Sequence, residues 1–465
     1  MESEGSSVTP VALLVLLVMM CLTWSLPRRL AICPLLIITC LMPMGQELAI
    51  VGLHFHLFRI LLLVGMARVV VRREMAELKW TGIDKLFAWW AVVSVVFGTL
   101  SKPSIELFIN RCGDAYNAIG CYFFIRCVIR DFEDMVTSVR TLAMLCFPVA
   151  ALMMVERQTM HNPFAVFGGV PVMSALREGH VRCQGAFRHA ILAGTFGATQ
   201  VPMFIGLWVY RPQHRRLAAA GTVAALIIVF AACSSGAILA VLGAFLGLGL
   251  WSMRRKMRLI RWGIVAALVV LALVMKAPIW YLLAKVSDLV GGGGWHRAYL
   301  IDKAVEHFNE WWLFGTTYTA HWAPSGEVIS MDPNMMDITN HFIMEGIKGG
   351  MLKLILFIAI ITGCFKAVGG WVRADTEYKA RAFFVWAMGA TLFAHCLSFT
   401  SVPYFDQIIV IWYWLLAVII RLNSLAVEES VDESEMEAEA EPVVEPNLAE
   451  PEFSSLESDG PQTAY

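Results

Sequence analysis

Charged side chains are scarce in this chain. Only 16% of its 465 residues are charged, whereas 58% are hydrophobic and the mean hydropathy is +0.65. Soluble domains carry charges on about a quarter of their residues, so the composition excludes an ordinary soluble protein. Apolar runs that approach the roughly 20 residues of a transmembrane helix recur along the sequence instead. We predict an all-α polytopic membrane protein with about 12–13 transmembrane helices.

The sequence also lacks the pattern of a disulfide framework. Ten of the eleven cysteines lie in or at the edges of apolar runs, and Cys183 alone lies in a polar loop. A structural disulfide needs two cysteines that meet in an oxidising loop. We therefore interpret the cysteines as small apolar packing residues.

Basic residues are absent from the end of the chain. No Lys or Arg follows Arg421, whereas residues 426–465 contain 13 acidic residues. That segment has too little apolar content to bury a core. The rest of the chain has 36 basic residues against 24 acidic ones. We predict a multi-span membrane domain over residues 1–425 and a disordered acidic tail over residues 426–465.

Thirteen runs are apolar enough to be assigned as spans. The first is followed, not preceded, by Arg28 and Arg29, so we interpret it as a retained span and not as a signal peptide. The runs fall near residues 8–26, 30–45, 49–67, 83–101, 104–128, 136–155, 189–210, 217–233, 236–252, 262–277, 349–368, 381–401 and 403–421.

Basic residues concentrate in the connectors that lie on one side of these alternating spans. The excess of Lys and Arg in short cytoplasmic loops identifies that side as the cytoplasm, so the acidic tail is also expected there. Two long polar loops, 156–188 and 278–348, then lie on the periplasmic side. Loops of this length are usually functional, and we expect the chemistry there.

The second long loop has a helical pattern of its own. Leu300, Ala304, Phe308 and Trp311 recur at helical spacing, which predicts an amphipathic helix on the membrane surface. The four glycines at 291–294 precede it. They are either a plain linker or the hinge of a flap that closes over a lipid-borne substrate.

Several ionisable residues lie at the predicted outer ends of spans. Arg111 and Asp114 are three residues apart on one span, and they either pair in the bundle interior or leave Arg111 facing an anionic ligand. Arg188 and His189 begin a later span, with Arg182 nearby. Guanidinium groups fit phosphate oxygens, although a basic residue at a span end also simply reaches the interface.

Two further features on the outer side suit an anion or a sugar. Ser235 lies between Ser234 and Gly236 in a turn before a span, where helix N–H groups favour an anion but where Ser and Gly are also ordinary caps. Trp295 and Arg297 begin the helix of the second loop. Trp295 fits either an interfacial aromatic belt or a stacking surface for a sugar ring.

His341 is the candidate general base, because a neutral imidazole near pH 7 takes a proton from a hydroxyl nucleophile. Asp337, Asn340 and Glu345 are near enough in sequence to orient it. The alternative is a solvated loop histidine.

The sequence contains no group of residues with the spacing of a metal site. Pairs such as His54 with His56 offer too few ligands, so we predict no metal ion and no cofactor.

Taken together, these segments resemble the O-antigen ligase and O-antigen polymerase family, which includes exopolysaccharide polymerases. The resemblance covers residues from about 30 to 420, and Arg297 and His341 belong to it. It also rests on "GAFRHAILAGTFG", "SSGAILAVLGAFLGL" and "QELAIVGLHFHLFRILLLVGMARVVVRRE". It implies a GT-C-like fold and a metal-independent glycosyltransferase. The donor would be an undecaprenyl-pyrophosphate-linked glycan at the periplasmic face of a bacterial inner membrane.

The resemblance assigns roles to three residues: Arg188 and Arg297 would bind pyrophosphate, and His341 would activate the acceptor hydroxyl. Ser235 replaces an Arg of the usual Ser-Arg-Gly turn, and Phe342 follows His341 where ligases have a polar residue. These departures favour a polymerase over a ligase. The substrate-binding candidates chosen from the residues themselves are Arg111, Arg182, His189, Ser235 and Trp295.

Two alternatives to a polymerase of repeat units stay open at this point. One is a ligase that transfers finished glycan to a lipid or protein acceptor. The other is a lipid-linked glycan flippase or transporter, although the sequence has no internal repeat and its polar residues gather at the outer face. Besides the lipid bilayer, a chain-length regulator or a flippase is the expected partner of a polymerase, and no nucleic acid is expected.

Overall fold

The computed structural model describes residues 8–50, 53–76, 78–177, 179–289, 294–324, 333–375 and 378–440. The chain divides into two units, Met1–Leu425 and Ala426–Tyr465. The helix Gln407–Ala440 includes residues 426–440 of the segment predicted to be disordered, whereas residues 441–465 lie outside the described residues and their disorder stays a prediction.

The described residues are mostly helical. The helices are α1 Pro10–Ser25, α2 Ile32–Leu41, α3 Leu57–Val71, α4 Gly82–Leu100, α5 Ile105–Val128, α6 Phe132–Thr159, α7 Ala190–Tyr210, α8 Arg215–Ala232, α9 Ser235–Gly249, α10 Met257–Val274, α11 Tyr281–Leu289, α12 Gly294–Glu306, α13 Phe308–Trp311, α14 His341–Ile347, α15 Gly350–Ala374, α16 Lys379–Phe399 and α17 Gln407–Ala440. The strands are β1 Glu47–Ile50, β2 Leu53–His56, β3 Ala175–Arg177 and β4 His180–Arg182.

Several of these helices are able to cross a membrane by length and composition. Within the described residues, seven helical stretches meet both criteria, and Pro10–Ser25 and Gln407–Leu422 are apolar but shorter. The chain is therefore mostly helical, and its long apolar helices are consistent with a multi-span membrane protein. The seven stretches are Gly82–Leu100, Phe132–Thr159, Ala190–Tyr210, Pro212–Ala232, Ser235–Val274, Gly350–Ala374 and Lys379–Phe399.

The sequence prediction of helix over 49–67 is wrong in its first part. Strand β1 pairs with β2 in an antiparallel hairpin, from Glu47 opposite His56 to Ile50 opposite Leu53, and α3 begins only at Leu57. Leu and Phe alternate with His along β2, which is the period of a strand and not of a helix. A second hairpin, β3 with β4, lies in the first long loop. The two hairpins are short additions to a chain that is otherwise helical, as the sequence predicted.

The run 30–45 does not hold a spanning helix either. Helix α2 has 10 residues, which rise about 15 Å, half the thickness of a hydrocarbon core. It ends at Leu41 because Pro43 disfavours a helical conformation at Met42, which is extended.

Helix α7 lies at the centre of the bundle, where it packs against α6, α8, α9 and α16. Two glycines of α7, Gly194 and Gly197, permit this close packing. A Cβ atom on Gly197 would lie 2.6 Å from the carbonyl oxygen of Ala225 on α8, and one on Gly194 would lie 2.8 Å from the Cβ of Ala237 on α9.

Two buried ion pairs lie at the end where α3 and α5 finish and α4 begins, and the second of them joins α5 to α4. Arg68 Nη2 lies 2.9 Å from Glu74 Oε1, and Arg126 Nε lies 3.1 Å from Asp84 Oδ1. The hydroxyl of Tyr122 also donates to Asp84 at 2.6 Å. Each of these buried charges is paired with an opposite charge of the protein, so the pairs stabilise this end of the bundle.

Helix α10 is an exception to the packing of the bundle. No residue of α10 is buried, and Leu259 and Leu273 are 71% and 82% exposed. It adjoins the short 3-10 segment Leu250–Lys256.

The second long loop folds around a small core of its own. Leu300, Ala304 and Trp311 are buried there, as their helical spacing predicted, but Phe308 is 41% exposed. The predicted single helix is two helices that break at His307, where Trp311 Nε1 donates to the terminal carbonyl of Ala304 at 2.8 Å. The full set of buried core residues is Leu300, Ala304, Trp311, Trp322, Met336, Ile338, Ile343 and Ile347. The last two belong to α14, so this core supports the helix that carries His341.

Replacing Gly197 by Ala tests the packing of α7. Because the new Cβ would meet backbone of α8, we expect Gly197→Ala to lower the free energy of unfolding by about 1–3 kcal/mol. The matched control is Gly370→Ala in α15, where an added Cβ meets nothing within 4 Å and where alanine favours the helix. The stability of both variants is measured by thermal unfolding of the purified protein in detergent. A dye that reacts with the buried cysteines as they become exposed monitors the unfolding. A melting temperature for Gly197→Ala at or above that of Gly370→Ala would contradict the packing.

Candidate functional site

A cavity of about 190 Å³ lies between α3, α4, α5, α14, α15 and α17. It lies toward the end where α3, α14, α15 and α17 begin, away from the ion-paired end. His341, Glu345 and Lys353 contribute to its wall, and so do Arg59 and Asp114. These residues come from four separate helices, so the fold concentrates ionisable side chains at one point of an apolar chain.

His341 is the first residue of α14 and its ring is buried. The backbone N–H of Tyr404 donates to its Nδ1 at 3.1 Å, so a neutral ring carries its proton on Nε2. Nε2 lies 3.9 Å from Oε1 of Glu345. The sequence also proposed Asp337 and Asn340 as orienting residues, but Asn340 caps α14 by accepting from Phe342 and Ile343, and Asp337 is exposed.

Burial disfavours the charged form of this histidine. It lowers the pKa of His341 to about 4, although the negative charge of Glu345 acts in the opposite direction. The ring is therefore neutral at pH 7. Because Nδ1 is engaged by Tyr404, the ring offers the cavity a hydrogen-bond donor at Nε2. Accepting a proton at Nδ1 would break the Tyr404 bond.

Glu345 is the buried carboxylate beside this donor. Its Oε2 accepts from Trp90 Nε1 at 2.7 Å and lies 3.4 Å from Lys353 Nζ. Burial by itself would raise the pKa of Glu345, but the charges of Lys353 and Lys348 and the Trp90 hydrogen bond together lower it. The carboxyl group is thus ionised and held by two partners. The Lys353 ammonium also lies 5.1 Å from the centre of the Trp90 ring.

Sequence reasoning missed Lys353, Trp90 and Arg59. Lys353 and Arg59 lie inside predicted spans. A charged residue within a span is a functional candidate by that position alone, so the sequence could have identified both. Arg59 Nε donates to Asn117 Oδ1 at 3.1 Å on the cavity wall. Trp90 gave no signal, because a tryptophan in an apolar run is ordinary.

Arg111 and Asp114 form the pair that the sequence offered as one of two interpretations. Arg111 Nη1 lies 3.9 Å from Asp114 Oδ2, and the side chain of Arg111 is 11% exposed against 55% for Asp114. Within the described residues, the buried Nε of Arg111 has no hydrogen-bond partner. Arg111 packs on Gly98, whose added Cβ would lie 2.9 Å from that Nε.

Arg188 lies at the edge of the cavity. Its Nη1 lies 4.0 Å from Oδ2 of Asp406, a residue of the cavity wall, and its side chain is 59% exposed. Burial raises the pKa of Asp406, while Arg188 and His56 act to lower it. Because the Arg188 guanidinium is exposed and 4.0 Å from this carboxyl group, it is accessible to an anionic ligand at the cavity edge.

The other outer candidates meet in a second group. Partial burial and the charge of Arg182 lower the pKa of His189, and Asp337 opposes them, which puts the three side chains in one neighbourhood. Burial and Arg177 lower the pKa of Arg182. His296 Nε2 lies 3.3 Å from the carbonyl oxygen of Asp337 and links this group to α12.

Arg297 and the Ser235 turn also come together. A Cβ on Gly236 would lie 3.8 Å from Nη2 of Arg297 and 2.9 Å from the Cβ of Ser401. The turn that starts α9 is therefore next to a guanidinium. Trp295 differs from the other candidates, since its ring is 53% exposed and stacks on Tyr299 with the ring centres 4.8 Å apart.

No protein-family model matches this chain, and no curated protein matches it. The function is therefore argued from the geometry of the cavity and of the arginines beside it.

The burial of neutral His341 makes folding stability depend on pH. The unfolded chain binds a proton at this residue below its ordinary pKa of 6.5, whereas the folded chain does so only below about 4. Stability from this residue is therefore complete above pH 6.5 and falls by about 3 kcal/mol as the pH drops toward 4. The variant His341→Gln has no imidazole to protonate, so its stability should fall less as the pH drops from 6.5 to 4. Melting temperature measured against pH tests this. The control is His180→Gln in the exposed strand β4, and equal slopes for His341→Gln and the unchanged protein would contradict the assignment.

Proposed function

We propose that the protein is a membrane glycosyltransferase that polymerises undecaprenyl-pyrophosphate-linked oligosaccharide repeat units into O-antigen or exopolysaccharide. The observation that carries the proposal is the cavity in which His341 and Glu345 face each other while basic side chains surround them. This set contains what transfer from a lipid pyrophosphate requires, a binding site for the anion and a polar pair for the acceptor hydroxyl.

The basic residues suit the pyrophosphate of the donor. Arg188 is at the cavity edge, Arg297 adjoins the start of α9, and Arg182 lies with His189. Arg59 and Arg111 flank the cavity from α3 and α5. Fixed guanidinium groups stabilise the charge that develops on a departing pyrophosphate without having to reorganise.

The polar pair suits the acceptor hydroxyl. An oxygen atom close to both His341 Nε2 and Glu345 Oε1, which are 3.9 Å apart, would accept a hydrogen bond from the first and donate one to the second. As the acceptor oxygen bonds to the anomeric carbon, the bond from that carbon to pyrophosphate breaks and the leaving group takes the electron pair. The hydroxyl proton passes to Glu345. In this proposal His341 orients the acceptor, and Glu345 takes the role of base that the sequence suggested for His341.

Glu345 is a weak base because its pKa is lowered. Weak assistance suffices for this reaction, since pyrophosphate is a good leaving group and its departure precedes full deprotonation of the acceptor. The role of Trp90 and Lys353 is then to hold the carboxylate in place.

The predicted topology supports a periplasmic site in the inner membrane. Connectors rich in Lys and Arg, such as 68–79 and 366–381, follow the ends of α3 and α15, whereas the cavity lies toward the beginnings of those helices. The positive-inside rule then puts the cavity at the periplasmic face and the acidic tail in the cytoplasm. The GT-C-like arrangement of about 12–13 transmembrane helices remains part of this proposal, and it requires that Ser235–Val274 form two spans and that α1, α3, α5 and α17 also cross the membrane.

Single alanine variants test the three residues proposed for transfer. His341→Ala, Arg188→Ala and Arg297→Ala, each at normal membrane level in the native host, should lower the transfer rate on the order of 100-fold. Gel analysis of surface polysaccharide should then show single repeat units in place of long polymer. Arg261→Ala is the matched control, because Arg261 is exposed on α10 and its Nε donates to the carbonyl of Met257.

The same experiment separates the alternatives. Long polymer of normal amount in all three variants would remove the catalytic assignment. Loss of lipid-linked glycan from the outer leaflet altogether would identify a flippase. Full-length polymer that is no longer attached to a lipid or protein acceptor would identify a ligase.

A pair of variants isolates the proton-accepting role of Glu345. Glu345→Gln leaves Lys353 charged without a partner in a buried site, so it should lower both stability and transfer. The double variant with Lys353→Gln removes that unpaired charge, and we expect the melting temperature to recover while transfer does not. Recovery of transfer in the double variant would show that Glu345 acts only through the structure.

A further inference from the structure

A second cluster of potential ligands lies in the long loop, apart from the transfer chemistry. It consists of His307, Glu310 and His321, whose ligand atoms all lie within 4.8 Å of one another. His307 Nδ1 is 2.7 Å from Glu310 Oε1, and His321 Nε2 is 3.0 Å from Glu310 Oε2. The side chains are 21%, 32% and 35% exposed in chain order, so an ion has access to them from solvent.

Two local structures bring these residues together. His307 and Glu310 are three residues apart at the start of α13, a spacing that puts both on one side of the helix. His321 belongs to the 3-10 turn Ala320–Trp322, which returns to α13. The sequence gave no sign of this cluster, because His321 is eleven residues beyond Glu310 and its return depends on the turn.

Aromatic neighbours fix the orientation of the three side chains. The ring of His307 stacks on Trp322 with the ring centres 5.4 Å apart, and that of His321 stacks on Tyr318 at 5.1 Å. Trp322 Nε1 donates to Glu310 Oε2 at 3.2 Å. A partner of this kind, which orients a ligand through a hydrogen bond, is characteristic of protein metal sites.

We propose that His307, Glu310 and His321 bind a divalent transition-metal ion, with Zn²⁺ as the ion that this set suits. Two imidazoles and one carboxylate are a recurrent zinc ligand set, whereas Ca²⁺ and Mg²⁺ prefer oxygen ligands throughout. Ligand atoms in a tetrahedral zinc site lie about 3.3 Å apart. The observed separations of each histidine from Glu310 are near this value, so binding needs small adjustments of the side chains. The fourth position would be filled by water.

The site would act on the loop and not on glycosyl transfer itself, which needs no metal in the function proposed above. Trp322 contacts the cluster and is also fully buried in the loop core with Leu300 and Trp311. That core includes Ile343 and Ile347 of α14, the helix that begins with His341. An ion at the cluster would join α13 to the 320–322 turn and thereby stabilise the loop beside the cavity.

Zinc binding by the full-length chain tests the proposal. The protein is purified in detergent with a tag that contains no histidine, treated with a chelator and dialysed, and then titrated with Zn²⁺ alone by calorimetry. We expect one Zn²⁺ per chain, and a rise in melting temperature on zinc addition. Co²⁺ serves as a spectroscopic probe, because a tetrahedral site with imidazole ligands gives visible absorption bands that an octahedral aqueous ion lacks.

Variants link the bound ion to the cluster. His307→Asn, Glu310→Gln and His321→Asn should each weaken zinc binding at least about tenfold and abolish the zinc-dependent rise in melting temperature. His180→Asn, which changes an exposed histidine outside the cluster, is the matched control and should bind like the unchanged protein.

Failure of the unchanged chain to bind Zn²⁺ would overturn the proposal whatever the variants do. Undiminished binding by the three cluster variants would also overturn it, since the ion would then lie elsewhere. These outcomes are independent of polymer formation, so they leave the proposed transferase function to its own tests.

Discussion

The buried carboxylate of Glu345 is the group around which the cavity is built. Removing a carboxylate from water is expensive unless partners replace the lost hydration, and Lys353 and Trp90 do so from α15 and α4. Its own helix, α14, is thereby fixed to two long helices of the bundle. His341, at the start of the same helix, takes its position from this anchoring and from the backbone of Tyr404.

The loop core completes the support from the other side. Ile343 and Ile347 of α14 are buried against Leu300, Trp311 and other apolar residues of the long loop. One face of a seven-residue helix therefore binds the loop while Glu345 binds the bundle. A helix this short is not stable alone, so its order comes entirely from these tertiary contacts. The geometry of the site therefore depends on the folding of the loop as well as on the packing of the membrane bundle.

The sequence predicted the class of protein and some parts of the site, for identifiable reasons. Long apolar runs give a strong signal, so the helical multi-span character was evident, and His341 was notable as an ionisable residue next to a span. The hairpin before α3 was missed because the alternation that indicates a strand covers only four residues within a longer apolar run. The donor role of His341 depends on Tyr404, which is 63 residues away in sequence. No local pattern contains such a contact, and the same holds for the return of His321 to Glu310.

Helix α10 has no buried residue. Within the described part of the chain no side chain is buried against α10, so an apolar substitution there removes no packing, and we expect the helix to tolerate mutation. Its side chains have no buried contacts to preserve among the described residues, whereas those of α7 must match the shapes of four neighbouring helices. Sequence drift in this protein should accordingly be fastest along α10, and engineered labels or altered lengths are best introduced there.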